Sequence, residues 1–314
     1  MVRNRTIVCC AALGMLGVRL APMSRVQAVG NAWRARADVA PAPLPRFVGA
    51  TYLSLDRRDD VYVSNTLKSR VVKLSRKGRV VRAWPCGRKH ALNLVTPVGI
   101  AVNKKGDVFV MDSTRRLLEK LSPAGCVLAT WSMYSQHDRL TGPGSVAVDN
   151  EGNVYVADQT KDIVLKLSAR GRVLARWGRK GSHLGEFLNP HGLAIDRRGV
   201  IYVADYGNLR VVKFAPSGRF LANVGVHRFD EDAGPEGVAV DARGNVYVGA
   251  GAVMKFSSTG RLLSEWKTYG SHHVLLSAAF GVAVDQQRNV YVVDQLHGAI
   301  VKLSPEGRTL SVWR

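Results

Sequence analysis

The side chains best suited to chemistry in this sequence are histidines. His90, His137, His183, His227 and the pair His272-His273 fall in polar stretches that recur along the chain, His191 sits within Pro190-His191-Gly192, and His297 lies near the C-terminal end. Imidazole titrates in the physiological range and is the commonest metal ligand, so the set suggests proton transfer or metal binding. A catalytic zinc needs three protein ligands converging at about 2.1 Å, however, and scattered histidines do not supply them unless the fold does. The densest acidity is Asp230, Glu231 and Asp232, followed by Glu236, with His227 just ahead. This group suits a hard cation or a basic partner group, although it lacks the ligand spacing of a calcium loop. No Gly-rich phosphate loop, Gly-x-Ser-x-Gly elbow or paired-cysteine motif is present, so the common nucleotide, serine-hydrolase and zinc-ribbon chemistries have no carrier.

Charge and the N-terminal segment set the broad class. The 314 residues carry 45 Lys plus Arg against 24 Asp plus Glu, a formal charge of +21, and a 46% apolar content excludes a disordered basic tail. No apolar run reaches the roughly 18 residues of a membrane helix. Arg3 and Arg5 precede an apolar stretch from Thr6 to Val18, and Val26-Gln27-Ala28 offers a cleavage site. Residues 1–28 therefore read as a signal peptide of a secreted or periplasmic protein, with an Arg-rich, acid-poor organellar transit peptide as the alternative. Residues 29–48, with Pro41, Pro43 and Pro45, read as a linker. Loss of the leader removes four Arg and no acid, which leaves +17 on the remainder. Cys9 and Cys10 leave with it. Cys86 and Cys126 fall at opposite ends of successive outer strands, beyond the roughly 7 Å between α-carbons that a disulfide tolerates.

Behind these residues stands a repeat. Tyr62, Phe109, Tyr155, Tyr202, Tyr247 and Tyr291 occupy Val-Tyr-Val-like triplets spaced 47, 46, 47, 45 and 44 residues apart. Each unit holds four short β signals; in the third they are 145–149, 153–157, 163–168 and 173–177, separated by Asx- and Gly-rich turns. Four strands per period in the forties is one propeller blade. The expected fold is all-β, a six-bladed propeller of four-stranded antiparallel blades over residues 49–314. Trp84, Trp131, Trp177, Trp266 and Trp313 end the outermost strands, with Val224 as the exception, and are expected to wedge between blades.

The fourth unit, Pro190-His191-Gly192-Leu193-Ala194-Ile195-Asp196 and Ile201-Tyr202-Val203-Ala204-Asp205-Tyr206-Gly207-Asn208-Leu209-Arg210-Val211-Val212-Lys213-Phe214, resembles an NHL repeat. The resemblance covers residues 50–314, with unit 1 degenerate at its start and unit 5 irregular where Val248-Gly249-Ala250-Gly251 replaces a longer loop. It implies six blades; because the first repeat begins near its innermost strand and the last ends on an outermost strand at Trp313, no shared blade is expected at the ring closure, with residues 29–48 over the seam. An NHL-type lyase that cleaves peptidyl-hydroxyglycine holds zinc with three Pro-His pairs, and this chain matches only at His191. Some relatives fused to ubiquitin-ligase modules bind RNA, which leaves nucleic acid as a partner only if the chain is not exported.

With strands lettered a to d outward from the axis, the b-to-c and d-to-a connections share a top face, and all eight histidines map there. The residue x of Pro-x-Gly should approach the channel: Val98, Gly144, His191, Glu236 and Phe280. His191 and Glu236 suit an ion pair, and a divalent cation, zinc or calcium, is a possible occupant with His191 as one ligand. Asp112, Asp158, Asp205 and Asp294 end strand b and are expected to cap turns. Lys73, Lys120, Lys166, Lys213, Lys255 and Lys302, with Arg79, Arg172, Arg219, Arg261 and Arg308, form a basic belt on the lower rim that either protects edges or attracts polyanions. Top-face charges add Arg88, Lys89, Arg115, Arg116, Arg179, Lys180, Arg210 and Arg228. The leading expectation is a monomeric binding scaffold that engages a protein or polyanionic partner through His191, Glu236, His227, Asp230, Glu231, Asp232, Arg210 and His297; a metal-dependent lyase is the enzymatic alternative.

Overall fold

The computed structural model describes residues 47–84, 93–133, 140–226, 228–229, 233–271, 273–276 and 278–314. They form six four-stranded antiparallel sheets, each from four consecutive strands, within a compact unit that runs from Pro45 to Arg314. The inner strand of blade 1, Ala50–Leu55, packs beside both Pro97–Val102 of blade 2 and Ala279–Val284 of blade 6, so the ring is closed and no blade is shared between the chain ends. In unit 3 the strands are Pro143–Val148, Val154–Asp158, Ile163–Leu167 and Val173–Trp177, within two residues of the sequence expectation. No helix among the described residues is long and apolar enough to cross a membrane.

Burial explains the residue pattern. Strand b is enclosed on both faces, as in Ile201–Asp205, and so carries a continuous apolar run, whereas strand d alternates and faces water. The core lies between blades: Tyr155, Ala157 and Val164 of blade 3 meet Ile201, Val203 and Phe214 of blade 4. Fully burying one such side chain contributes about 1.5–3 kcal/mol. The tryptophans act as wedges as expected. Trp84 stacks on Tyr62 at 6.0 Å between ring centres, and its indole covers Gly125 of the next blade so closely that any β-carbon there would collide with it. The hairpin glycine is thus required twice, for its φ of +84° and for the indole. At the seam, Trp313 covers Gly78 in the same way, and Phe47 packs with Val63 of blade 1 and Val293 of blade 6.

The basic belt divides into two parts. All six lysines lie over the strand-b aromatic of their own blade, 4.8–5.6 Å from the ring centre. Lys73, Lys120 and Lys302 also pair with turn carboxylates at Asp56, Asp107 and Asp285. They are clamps on the third strand rather than charges guarding the outer edge. The five arginines are exposed. Cys126 is exposed and free, and Cys86 lies outside the described residues.

Candidate functional site at the upper channel mouth

Strand a opens with a β-bulge in five blades; in blade 4 the pairing steps from Pro190–Asp205 to Leu193–Val203, leaving His191 and Gly192 outside the ladder. A bulge bends the strand and re-aims the side chain it carries. Gly192 is needed because the backbones of blades 4 and 5 nearly touch: a β-carbon there would stand 2.6 Å from the Glu236 carbonyl oxygen. Blade 5 lacks the bulge, pairs Gly237 with Gly249 directly, and turns tightly through Ala250 to Ala252.

These two geometries bring His191 and Glu236 together. Nδ1 of His191 lies 2.5 Å from Oε2 of Glu236, with side chains only 14% and 16% exposed. The imidazole also stacks on Tyr206, 4.6 Å between ring centres and 16° from parallel. Tyr206 is set there by a single 3-10 turn, Tyr206–Asn208, which ends at Leu209 in the left-handed region. A carboxylate on one ring nitrogen fixes the orientation of the imidazole and leaves Nε2 for a ligand or proton. Below them Tyr52 stands where blades 2, 4, 5 and 6 have Gly99, Gly192, Gly237 and Gly281. Its phenol is pushed up by burial and, secondarily, by the charge of Glu236. Tyr52 lines a channel cavity of about 30 Å³, room for little more than water.

The other expected site residues are placed differently. Arg210 is buried: it pairs with Asp205 at 2.9 Å and donates to the carbonyls of Ser182, His183 and Glu186, and so works as a strut under the connection into blade 4. His297 bonds Asp294 at 2.8 Å on blade 6. His183 belongs to a closed loop in which its amide and Arg179 hold the Glu186 carboxyl below the usual range. His227, Asp230, Glu231 and Asp232, and also His90, His137 and His272, lie outside the described residues. Among the described residues no three His, Cys, Asp or Glu side chains are gathered as a metal ligand set. The strand-b aspartates cap turns and do more. Asp112, for instance, accepts the amides of Val95 and Arg115, and so ties the preceding connection to its own blade. Tyr206 and Tyr52 escaped the sequence reading. Counting ten residues back from each strand-b aromatic lands on Tyr52 in unit 1 and exposes the substitution.

An NHL repeat model matches residues 187–214, the segment that carries His191, Tyr206 and Arg210. This chain is an NHL-repeat propeller. Residues 217–255 of the NHL-repeat propeller also match a model described as strictosidine synthase-like, N-terminal. No curated protein matches the chain. Similar solved structures include virginiamycin B lyase from Staphylococcus aureus, at 10% identity and TM-score 0.60 over 85% of each chain. A gluconolactonase from Xanthomonas campestris is 18% identical with TM-score 0.58, over 78% of this chain and 84% of that one. A chain of a nidogen/laminin complex is 18% identical with TM-score 0.60, over 81% of this chain and 93% of that one. At these identities the likeness is one of fold.

Proposed function

We propose that this NHL-repeat propeller is an exported binding scaffold whose top-face loops engage a protein partner. One observation carries the reading. The four most exposed large apolar side chains among the described residues, Leu184, Leu296, Leu67 and Leu275, at 70%, 67%, 62% and 60%, all sit in top-face connections. Leu67 belongs to blade 1, Leu296 to blade 6 and Leu275 to the two-stranded connection that enters blade 6, which puts three of them around adjoining blades. Projecting leucines on loops held by a rigid frame suit a protein surface better than a polyanion. A protein complex among the similar folds supports the same class of partner. For the lyase alternative the available support is His191, which meets one carboxylate rather than further imidazoles.

The test is proximity cross-linking of the protein in its exported compartment, comparing wild type with the Leu67→Ser/Leu275→Ser/Leu296→Ser variant. A cross-linked protein retained by wild type and lost in the variant is expected. An unchanged set of cross-links, or a chain found in the cytoplasm with its N-terminus intact, overturns the proposal.

A further inference from the structure

The lower end of the channel is built with a different chemistry. A cavity of about 180 Å³ opens there between the a-to-b hairpins of blades 4, 5 and 6, with Ile195, Val240 and Val284 among its lining residues and Arg197 and Arg288 beside them. Turn aspartates line it as well, but their oxygens are already engaged. Asp241 accepts the amides of Arg243 and Asn245 and the hydroxyl of Tyr247, and Asp285 is held likewise by Gln287, Asn289 and Tyr291. Neither Arg197 nor Arg288 donates its guanidinium to any partner among the described residues.

Arg288 carries a second, independent sign. The same hairpin position is Gly106, Gly152, Gly199 and Gly244 in blades 2 to 5, at φ between +79° and +86°; blade 1 has Asp59 there at +60°, an acidic residue that tolerates this region, and blade 6 has Arg288 at +67°. A side chain in that region is disfavoured, and such placements cluster where a ligand is held. Blade 6 therefore keeps a guanidinium at the cavity where a glycine would fold more easily.

We propose that the lower channel mouth is a binding site for a small, multiply charged organic oxyanion, gripped by Arg197 and Arg288 with its carbon skeleton against the aliphatic floor. Guanidinium is the side chain matched to planar carboxylate and to phosphate oxygens, and it binds them through paired hydrogen bonds. Exposed Arg57, Lys104 and Arg198 on the same ring of hairpins raise the local potential. The site lies on the face opposite the leucine-bearing loops, so it stands or falls independently of the protein interface.

Calorimetry with citrate at low ionic strength tests it, and one citrate per chain is expected. Arg197→Ser should weaken citrate at least fivefold. Arg288→Gly should do the same while raising the melting temperature, because glycine accepts the left-handed backbone. The control Arg76→Ser/Lys77→Ser, on an outer hairpin of blade 1, should leave affinity within twofold. Absent binding, several citrates per chain, undiminished affinity in either mouth variant, or an equal loss in the control would overturn the assignment in favour of diffuse attraction or none.

Discussion

The two mouths of the channel are made by opposite ends of the same six inner strands, and they handle charge differently. At the upper mouth His191 and Glu236 satisfy each other, Asp205 holds Arg210, and Asp294 holds His297, so ionisable groups are paired across or within blades. At the lower mouth the aspartates are held by turn amides, Asp285 also by Lys302 of its own blade, while Arg197 and Arg288 stay unpaired. The difference follows from loop length. Long upper connections can fold back onto a buried strand-b carboxylate, whereas five-residue lower hairpins bind their aspartate through their own amides, share a carboxylate in blades 1, 2 and 6 with the strand-c lysine of the same blade, and project the next side chains into water.

The largest effect is expected where both faces depend on one element. Trp84→Ala should cost about 3–5 kcal/mol in denaturant unfolding, since it empties the wedge between blades 1 and 2; a loss under about 1 kcal/mol would remove the shared frame from the comparison. Next, Asp205→Ala should cost about 3–5 kcal/mol by leaving Arg210 buried without its carboxylate. Its lower-face counterpart Asp196→Ala should cost only about 1–2 kcal/mol, the worth of turn hydrogen bonds. Equal losses would erase the distinction between structural carboxylates above and below. The Leu67→Ser/Leu275→Ser/Leu296→Ser variant should change stability by no more than about 0.5 kcal/mol per site, because exposed loop side chains bury little; a larger loss would mean that these residues pack rather than bind.

The smallest effect concerns Glu119, a buried carboxyl on strand c of blade 2 that bonds Arg115 at 3.1 Å. Burial pushes this group up, and Arg115 only partly offsets it. Its contribution is therefore most favourable below the unfolded-state value and declines as pH rises through the folded value. Glu119→Gln should flatten that decline in unfolding measurements taken from acid toward neutral pH. A wild-type profile with no such fall would show that the upper-face pairing is complete even here.

Much of this was legible from particular residues. The spacing of Tyr62 through Tyr291 gave blade number, the hairpin glycines gave the turns, and Pro190-His191 next to Pro235-Glu236 in the repeat register brought those two side chains to one mouth. Other features were hidden for physical reasons. Five of the six second-hairpin glycines sit under an indole from the adjacent blade, a demand that φ alone does not reveal. The lysines counted as a surface belt turned out to lie on aromatic rings, since charge read along a chain carries no information about what the ammonium rests upon. Arg210, singled out for binding, was claimed by Asp205 and three carbonyls of a neighbouring connection.

The sequence by itself determined the repeat, the four-strand unit, the face on which each loop falls and the net charge of +21, because these depend on local alternation, turn residues and counting. Only the tertiary structure decided which of those charges are free. Pairing depends on contacts between residues of different blades, tens of positions apart, and on burial that no single strand can specify. The basicity met at first as one number is, in the folded ring, six lysine clamps, a buried arginine strut and unpaired guanidinia at the lower channel mouth.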